Sequence, residues 1–471
     1  MARAARPGEA EVISLPVILQ RALSGRIRGG EDHGVRHGGE PSIFPGRAVS
    51  APWSSVAAAG DFPGIDGLRG IAAVSVLLCH TVGSSTLVAT GWGDYLAQLR
   101  AGVQIFFVIS RFVLYRPFVD AHLHGDRGPR LTGYFRRRLF RIFPAYWLVL
   151  IVGAYVLHVI FLGGTRVTAI NFSLVQSYFH PDFFSGLGPA WTLVVEVSFY
   201  LALPFYAMAL WYVGSRRRMT AEVLGVVCLF GIGLFCSAWN SFGHVPRFVS
   251  ILPANLAPFA LGMLLAAVST WRKQRPDAPR WSRNLGAHPW AAWLLGVAAW
   301  SSLVWAVHFP AVWPLAPIPG HQTFEYALLL NVLGFCMVYP MVFGDQSVGL
   351  LRRGLQLRPV VYIGTISFAI YLWHVPVLTE FSKLRYHPRL GTATPATNFF
   401  LLTAVTLAVT VVVATASWFI LEKPLIRLSR WTGGVPRWRR ASSVTQWPPD
   451  VSGLTVPGSA TPEEVGQQLV Q

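Results

Sequence analysis

From Asn398 to Ser417 the chain reads NFFLLTAVTLAVTVVVATAS, a run of 20 residues without one charged side chain. A helix of about 20 apolar residues is long enough to span the ~30 Å hydrocarbon core of a bilayer. Comparable stretches precede it in the chain, beginning near Gly67, Ala101, Phe143, Gly188, Ala221, Arg247, Pro289, Phe324 and Val360. The pattern predicts an all-α, multi-pass membrane protein with about ten transmembrane helices.

The composition argues against a soluble enzyme. Of 471 residues, 53% are hydrophobic and 13% are charged, whereas soluble domains carry roughly 25% charged residues. The formal net charge of +18 would indicate a nucleic-acid partner in a soluble protein. Here most Lys and Arg residues lie in the two tails and in every second loop, and such an excess marks the cytoplasmic side. We therefore expect both termini in the cytoplasm and no nucleic-acid partner.

The composition also divides the chain into three parts. Residues 1–60 are rich in Gly, Arg, Pro and Ser, which is typical of a disordered tail, here basic and cytoplasmic. Residues 61–428 contain the apolar stretches and form the predicted transmembrane domain in the lipid bilayer. Residues 429–471 are rich in Pro, Ser and Thr and predict a second disordered cytoplasmic tail. All four cysteines lie in apolar stretches without the paired spacing of a zinc site, so no metal site is expected.

Four ionisable residues fall inside apolar stretches: His80, Arg111, Glu196 and His374. Such groups are costly at bilayer depth and are therefore candidates for function. Counting residues from the outer ends of their helices places His80, Glu196 and His374 roughly 9 to 12 Å below the outer surface, so that they could meet. The alternative is that each forms a separate hydrogen bond between helices.

Arg69 and His80 are 11 residues apart and share one face of a helix, with His80 about 16 Å further along the axis. A long anionic ligand, such as an acyl carrier with phosphates, could touch both side chains. Alternatively, Arg69 is an interfacial snorkelling arginine and His80 a histidine with its hydrogen bonds satisfied in the bundle.

Arg138 and Arg141 are three residues apart and so lie on one helical face. Guanidinium groups bind phosphate oxygens in a bidentate manner, which makes this pair a candidate phosphate site. A basic cluster that sets the topology and touches anionic lipid is the alternative interpretation.

Five segments, in this order, resemble the membrane-bound acyltransferase-3 family. They are GIDGLRG at 64–70 followed by His80, GVQIFFVISRF at 102–112, RLFRIFP at 138–144, PAWTLVVEVSFY at 189–200 and ISFAIYLWHVP at 366–376. SWFILEKP at 417–424 is similar to the closing segment of the family. The chain departs from the family pattern at Gln104, where the family has Asp, at Arg111, where it has Gly, and at Val197, where it has Glu.

The resemblance implies acyl transfer from cytoplasmic acyl-CoA, usually acetyl-CoA, to a hydroxyl group of an acceptor. Family members modify cell-surface polysaccharides or macrolide-type compounds, so a carbohydrate or macrolide acceptor is implied, with acyl-CoA as co-substrate and no bound cofactor. The resemblance makes His80 essential and assigns Arg69, Arg138 and Arg141 to the donor. Asp66 and His374, within the matched motifs, are further site candidates. We expect no extracytoplasmic domain after the last apolar stretch, and we therefore expect the membrane domain itself to bind the acceptor.

The residue chemistry agrees with this reaction. A neutral His80 imidazole could take the proton of the acceptor hydroxyl as general base, because its unperturbed pKa lies near working pH. Glu196 could orient that imidazole or stabilise its cation. Ser110 could donate to the developing oxyanion or act as a nucleophile, although a hydroxyl that only packs between helices is the simpler interpretation.

Arg111 stands where the family has a small residue, and three roles are open for it. It could close a channel, bind a further phosphate, or reach back to the cytoplasmic interface. One alternative function is that of a degenerate family member that only flips or presents an acylated carrier, and Arg111 is the one feature that supports it. A proton-coupled secondary transporter is the alternative function, because intramembrane His and Glu also form proton relays, but the sequence contains no inverted repeat.

Overall fold

The computed structural model describes residues 62–126, 128–179, 185–213, 217–243, 250–275, 284–305, 319–382 and 394–431, with single positions 279 and 307. Both predicted tails, 1–60 and 429–471, lie outside these residues except for 429–431. The described part of the chain consists of helices, turns and loops. The longer helices are α1 (Gly64–Ser84), α3 (Gly102–His124), α4 (Leu131–Ile151), α7 (Trp191–Val213), α8 (Arg218–Gly243), α9 (Leu256–Gln274), α10 (Pro289–Trp305), α11 (Gly320–Val342), α14 (Ser367–Ser382) and α15 (Pro395–Ser417).

Shorter helices connect or extend the long ones. They are α2 (Gly91–Ala97), α5 (Thr165–Phe172), α6 (Gln176–Phe179), α12 (Leu350–Leu355), α13 (Arg358–Thr365) and α16 (Lys423–Trp431). Local chemistry sets several ends. Thr394 caps α15 by accepting a hydrogen bond from the backbone N–H of Thr397 at 3.2 Å, and Pro395 follows at the first helical position. Gly125 ends α3 in the left-handed conformation, with φ of 80°.

The all-α, multi-pass architecture is confirmed. Among the described residues, eight helices are long and apolar enough to cross a membrane, and a bent pair, α13 and α14, makes a ninth. The remaining predicted stretch, the seventh in chain order, forms α10, whose 17 residues give a length of about 25 Å. Side chains such as Leu224, Val227 and Phe235 of α8 are more than half exposed on the outside of the bundle, where hydrocarbon rather than water would surround them.

Two predicted helix starts and the course of one predicted helix differ from the structure. The third helix begins at Leu131 rather than Phe143, because the arginine-rich segment before Phe143 continues the same helix. The sixth begins at Leu256, whereas the predicted start at Arg247 lies outside the described residues. The ninth stretch is broken by a bend of 70° between α13 and α14 instead of forming one straight helix.

Close contacts between backbones fix the beginning of α1 against α12 and α13. A Cβ atom on Gly67 would lie 1.9 Å from the carbonyl oxygen of Leu355, and one on Gly364 would lie 1.7 Å from that of Asp66. Only residues without a side chain allow this approach, as is common where membrane helices cross. The turn that carries Asp66 and Arg69 is therefore held firmly at one end of the bundle.

Helices α1 and α3 run antiparallel. Near the start of α3, a Cβ on Gly102 would lie 2.5 Å from the carbonyl oxygen of Ala72 and 2.4 Å from Ser75 Oγ. At the other end, the ring of Phe62, just before α1, lies 5.0 Å from the ring of Phe112. Residues that follow Gly102 in α3 therefore lie progressively closer to the Asp66 end of α1. His80 lies past the level of Gly102 in the other direction, away from Asp66.

Candidate active site

A pocket opens between α1, α3, α4, α7 and α14, and charged side chains line it. They are Asp66, Arg69, Arg138, Arg141 and Glu196. The remaining lining is apolar, aromatic or hydroxyl-bearing, and includes Ser110. The three arginines that the sequence assigned to the donor thus face one cavity, although they come from two helices.

Asp66 and Arg69 lie one turn apart in α1 and form an ion pair, with Arg69 Nη1 3.4 Å from Asp66 Oδ1. Both side chains are largely buried, at 19% and 13% exposed. The aspartate holds the guanidinium at the pocket wall and compensates part of its charge. Asp66 is therefore a positioning partner of Arg69 in this structure.

Arg138 and Arg141 lie on the face of α4 that turns toward the pocket. The Arg138 guanidinium lies 5.5 Å from the centre of the Tyr200 ring, and within the described structure its buried Nε has no hydrogen-bond partner. Arg136 is different, because its Nε donates to the carbonyl oxygen of Ser429 at 3.2 Å and so links α4 to α16. The basic segment of α4 thus contains both pocket-facing and structural arginines.

Glu196 of α7 is the second carboxylate of the pocket. Its Oε1 accepts hydrogen bonds from Ser110 Oγ and from the Tyr200 hydroxyl, both at 2.6 Å. Arg111 Nη2 lies 3.4 Å from the same oxygen. The Glu196 side chain remains 21% exposed toward the pocket. Sequence reasoning missed Tyr200, although it follows Glu196 by four residues, the spacing at which helical side chains meet.

Arg111 takes none of the three roles considered for it. Its side chain is fully buried and does not line the pocket, so it neither closes the cavity, nor presents a phosphate ligand there, nor reaches an exposed interface. The guanidinium lies between two aromatic rings, 4.3 Å from the centre of Phe199 and 4.0 Å from that of Phe259. Gly262 of α9 makes room, because a Cβ there would lie 2.9 Å from the Cβ of Arg111.

His80 and His374 come together, as predicted. Their ring centres are 5.0 Å apart. His374 is buried, and its Nδ1 lies 3.2 Å from the carbonyl oxygen of Ile370, so Nδ1 carries a proton. In the neutral ring Nε2 is then an acceptor, and it has no partner among the described residues. The His80 side chain is exposed.

The predicted meeting of Glu196 with His80 is wrong. Ser110 lies eight residues beyond Gly102 along α3, or about 12 Å toward the Arg69 end of the pocket, and Glu196 is bonded to Ser110 there. His80 lies in the opposite direction. The error arises because α7 begins inside the protein: Pro189 and Ala190, just before it, are buried. Counting from an assumed surface position therefore placed Glu196 too far outward.

One further carboxylate near the arginines was not predicted. Glu422 lies in a π-helical turn, Trp418–Glu422, that joins α15 to α16, and its side chain is buried. Ser417 Oγ donates to Glu422 Oε1 at 3.3 Å. Arg141 and Arg69 are close enough to act on it electrostatically. Glu422 lies in the closing motif at 417–424, which was a signal in the sequence. Spacing alone, however, does not predict that residue 422 lies near residue 69.

Comparisons with known proteins agree with the architecture. A family model described as an acyltransferase domain matches residues 62–415. The peptidoglycan O-acetyltransferase OatA of Listeria monocytogenes is 24% identical over 344 residues, which cover 67% of this chain and 49% of the relative. The O-acetyltransferase OatA of Staphylococcus aureus is 23% identical over 332 residues, 67% of this chain and 50% of the relative. The chain thus spans about half the length of these relatives. No solved structure matches it.

Proposed function

The chain belongs to the membrane-bound acyltransferase-3 family, and from that premise we propose that it transfers an acetyl group from acetyl-CoA to a hydroxyl group of a cell-envelope carbohydrate. The relatives are named as O-acetyltransferases, one of them of peptidoglycan, which supports a glycan acceptor over a macrolide. In this proposal the chain is a multi-pass membrane acyltransferase with a cytoplasmic donor and a carbohydrate acceptor.

The convergence of Arg69, Arg138 and Arg141 on one pocket carries this proposal. Coenzyme A has three phosphates, and guanidinium groups bind phosphate oxygens in fixed geometry. We place the phosphates at this end of the pocket and the pantetheine arm along it. Because acyl-CoA is cytoplasmic, the arginine end then faces the cytoplasm, which agrees with termini on that side and with the positive-inside distribution.

His80 supplies the general base in this scheme. The neutral imidazole removes the proton of the acceptor hydroxyl while that oxygen attacks the thioester carbonyl carbon. The carbon–sulfur bond breaks, and the CoA thiolate takes up the proton from the imidazolium. His374, whose ring lies beside His80, offers its free Nε2 as an acceptor that can hold the His80 ring in position.

Glu196 and Ser110 belong to the donor part of the site. The Ser110 hydroxyl donates a hydrogen bond to Glu196, so its O–H group is directed at the carboxylate rather than at His80. The exposed edge of Glu196 faces the cavity, where it can accept a hydrogen bond from an amide N–H of the pantetheine arm. Both residues then position the donor, in place of the role at His80 considered for Glu196 and the oxyanion or nucleophile role considered for Ser110.

The test uses protein in nanodiscs with radiolabelled acetyl-CoA and a membrane extract as acceptor source. Wild type is compared with His80→Ala and with the matched control His124→Ala, which removes an exposed histidine at the end of α3. We expect label to move to a glycan fraction with wild type and the control, and transfer to fall by a factor of at least about 100 with His80→Ala. Full transfer by a well-folded His80→Ala protein would contradict the general-base role. Uptake of substrate driven by a proton gradient, without acylated product, would favour the transporter.

A further inference from the structure

Tyr371 of α14 stands between the two parts of the site. It lines the arginine pocket, and its ring centre lies 6.0 Å from that of Phe106, another lining residue. On its other side the ring lies 5.7 Å from His374, which in turn contacts His80. Tyr371 therefore touches both the proposed donor pocket and the histidine pair.

Hydrogen bonds hold the Tyr371 ring in this position. Its hydroxyl donates to the carbonyl oxygen of Pro189 at 3.0 Å and lies 2.8 Å from the hydroxyl of Thr192, which also lines the pocket. The side chain is 8% exposed. Because Pro189 and Thr192 flank the start of α7, the ring is tied to a helix other than its own. It forms a fixed wall at the end of the pocket away from Arg69.

We infer that Tyr371 is a specificity-determining residue that closes the acyl end of the donor pocket and limits the transferred group to a short chain such as acetyl. The inference rests on the proposed function, because it assumes that the pocket holds acyl-CoA. With the phosphates on the arginines, the thioester lies toward Tyr371. The carbonyl must reach the histidine pair past the edge of this ring. Each methylene added to the acyl chain would extend toward Phe106, Thr192 or the ring itself.

Removing the ring should therefore admit longer acyl groups. One methylene more or less in an apolar pocket changes selectivity by about 10- to 200-fold. We expect the ratio of butyryl to acetyl transfer to rise at least about tenfold in Tyr371→Ala. Tyr371→Leu, which keeps an apolar side chain in place and guards against loss of folding, should raise it in the same direction. Tyr371→Phe keeps the wall and should retain the wild-type ratio.

Tyr362 offers a matched control. It is a partly buried tyrosine on α13 whose hydroxyl lies 2.8 Å from Thr415 Oγ1, so it resembles Tyr371 in residue type and in its threonine partner. It does not line the pocket. Tyr362→Ala should leave the ratio of butyryl to acetyl transfer unchanged. This control distinguishes loss of the Tyr371 ring from a general loosening of helix packing.

The experiment measures two quantities in nanodiscs: transfer from acetyl-, butyryl- and octanoyl-CoA, and binding of the same esters by competition against labelled CoA. Wild type should prefer short acyl chains. If this preference weakens in Tyr371→Ala and Tyr371→Leu, by either readout, the result supports Tyr371 as the residue that limits chain length. An unchanged preference in both variants overturns it, and the proposed function stands if wild type still transfers acetyl. If wild type binds the esters but transfers none, the proposed function fails. The binding preference alone then shows whether Tyr371 limits the chain length. If no ester binds, both are overturned.

Discussion

Helix α3 takes part in two carboxylate clusters with similar composition. In the first, Glu196 of α7 is paired with Arg111 and accepts hydrogen bonds from hydroxyl groups. In the second, Glu222 of α8 is paired with His122, whose Nδ1 lies 2.5 Å from Glu222 Oε1, and it accepts a hydrogen bond from the hydroxyl of Tyr115. Each cluster joins α3 to a neighbouring helix through one carboxylate, one basic side chain and at least one hydroxyl.

The clusters differ in what lies on the open side of the carboxylate. Glu196 is 21% exposed and faces a cavity with three arginines, whereas Glu222 is 1% exposed and is enclosed by protein. A buried charge in a membrane protein is a candidate for function by default. An adjacent cavity, rather than the burial of charge, therefore distinguishes a ligand site from a link between helices in this protein.

Arg111→Gly should produce the largest effect, because it breaks the first cluster from its buried side. It leaves the Glu196 carboxylate without its cation and opens a void between Phe199 and Phe259. Removing one partner of a buried ion pair costs about 3–5 kcal/mol, and we expect a loss of this size in the free energy of unfolding, measured by SDS titration in mixed micelles.

The double variant Arg111→Met with Glu196→Gln should recover much of that stability, because it removes both charges and fills the void. A stable and more active Arg111→Gly protein would contradict this account. That result would instead indicate that Arg111, which replaces the family glycine, impairs the activity of this chain.

Glu196→Gln should mainly reduce catalysis. The substitution keeps the shape of the side chain and the hydrogen bond from Ser110, but it removes the charge that faces the cavity. We expect kcat/KM for acetyl-CoA to fall about 100-fold, equivalent to about 2.7 kcal/mol of transition-state binding. Transfer assays in nanodiscs measure this effect. A wild-type rate in the folded variant would remove Glu196 from the site and make the two clusters equivalent.

Glu222→Gln is the matched change in the enclosed cluster and should have the opposite profile. Loss of the charge weakens the contacts to Tyr115 and His122 inside the protein, and the free energy of unfolding should fall by about 1–3 kcal/mol. Specific activity of the folded fraction should stay within about twofold of wild type. A large loss of activity with unchanged stability would show that the enclosed cluster also serves the reaction.

The sequence contained most of the helical architecture and part of the site. Uninterrupted apolar runs such as 398–417 predict spans from local composition alone, and the structure has a helix there, at Pro395–Ser417. The grouping of Arg138 with Arg141 follows from helical spacing, which is also local. The start of α4 at Leu131 was missed because charged residues end an apolar run without ending the helix.

Contacts between distant residues could not be predicted in this way. Glu196 bonds to Ser110, 86 positions away, and Tyr371 meets Thr192 across 179 positions. Both depend on where α7 begins in depth, which is set by its packing and not by its apolar length. The same limitation explains why Arg111 could be recognised as unusual but not assigned to its aromatic surroundings.

A pair of Tyr→Phe substitutions makes the smallest and sharpest test of the comparison. Tyr200→Phe and Tyr115→Phe each remove one hydroxyl that donates to a carboxylate, Glu196 in the first case and Glu222 in the second. A single hydrogen bond contributes about 1 kcal/mol net. In Tyr115→Phe this loss should appear in the free energy of unfolding with activity unchanged. In Tyr200→Phe it should also appear as a fall of about fivefold in kcat/KM, because the carboxylate that loses its donor faces the cavity. Equal effects of the two substitutions on activity would mean that the cavity does not separate the clusters.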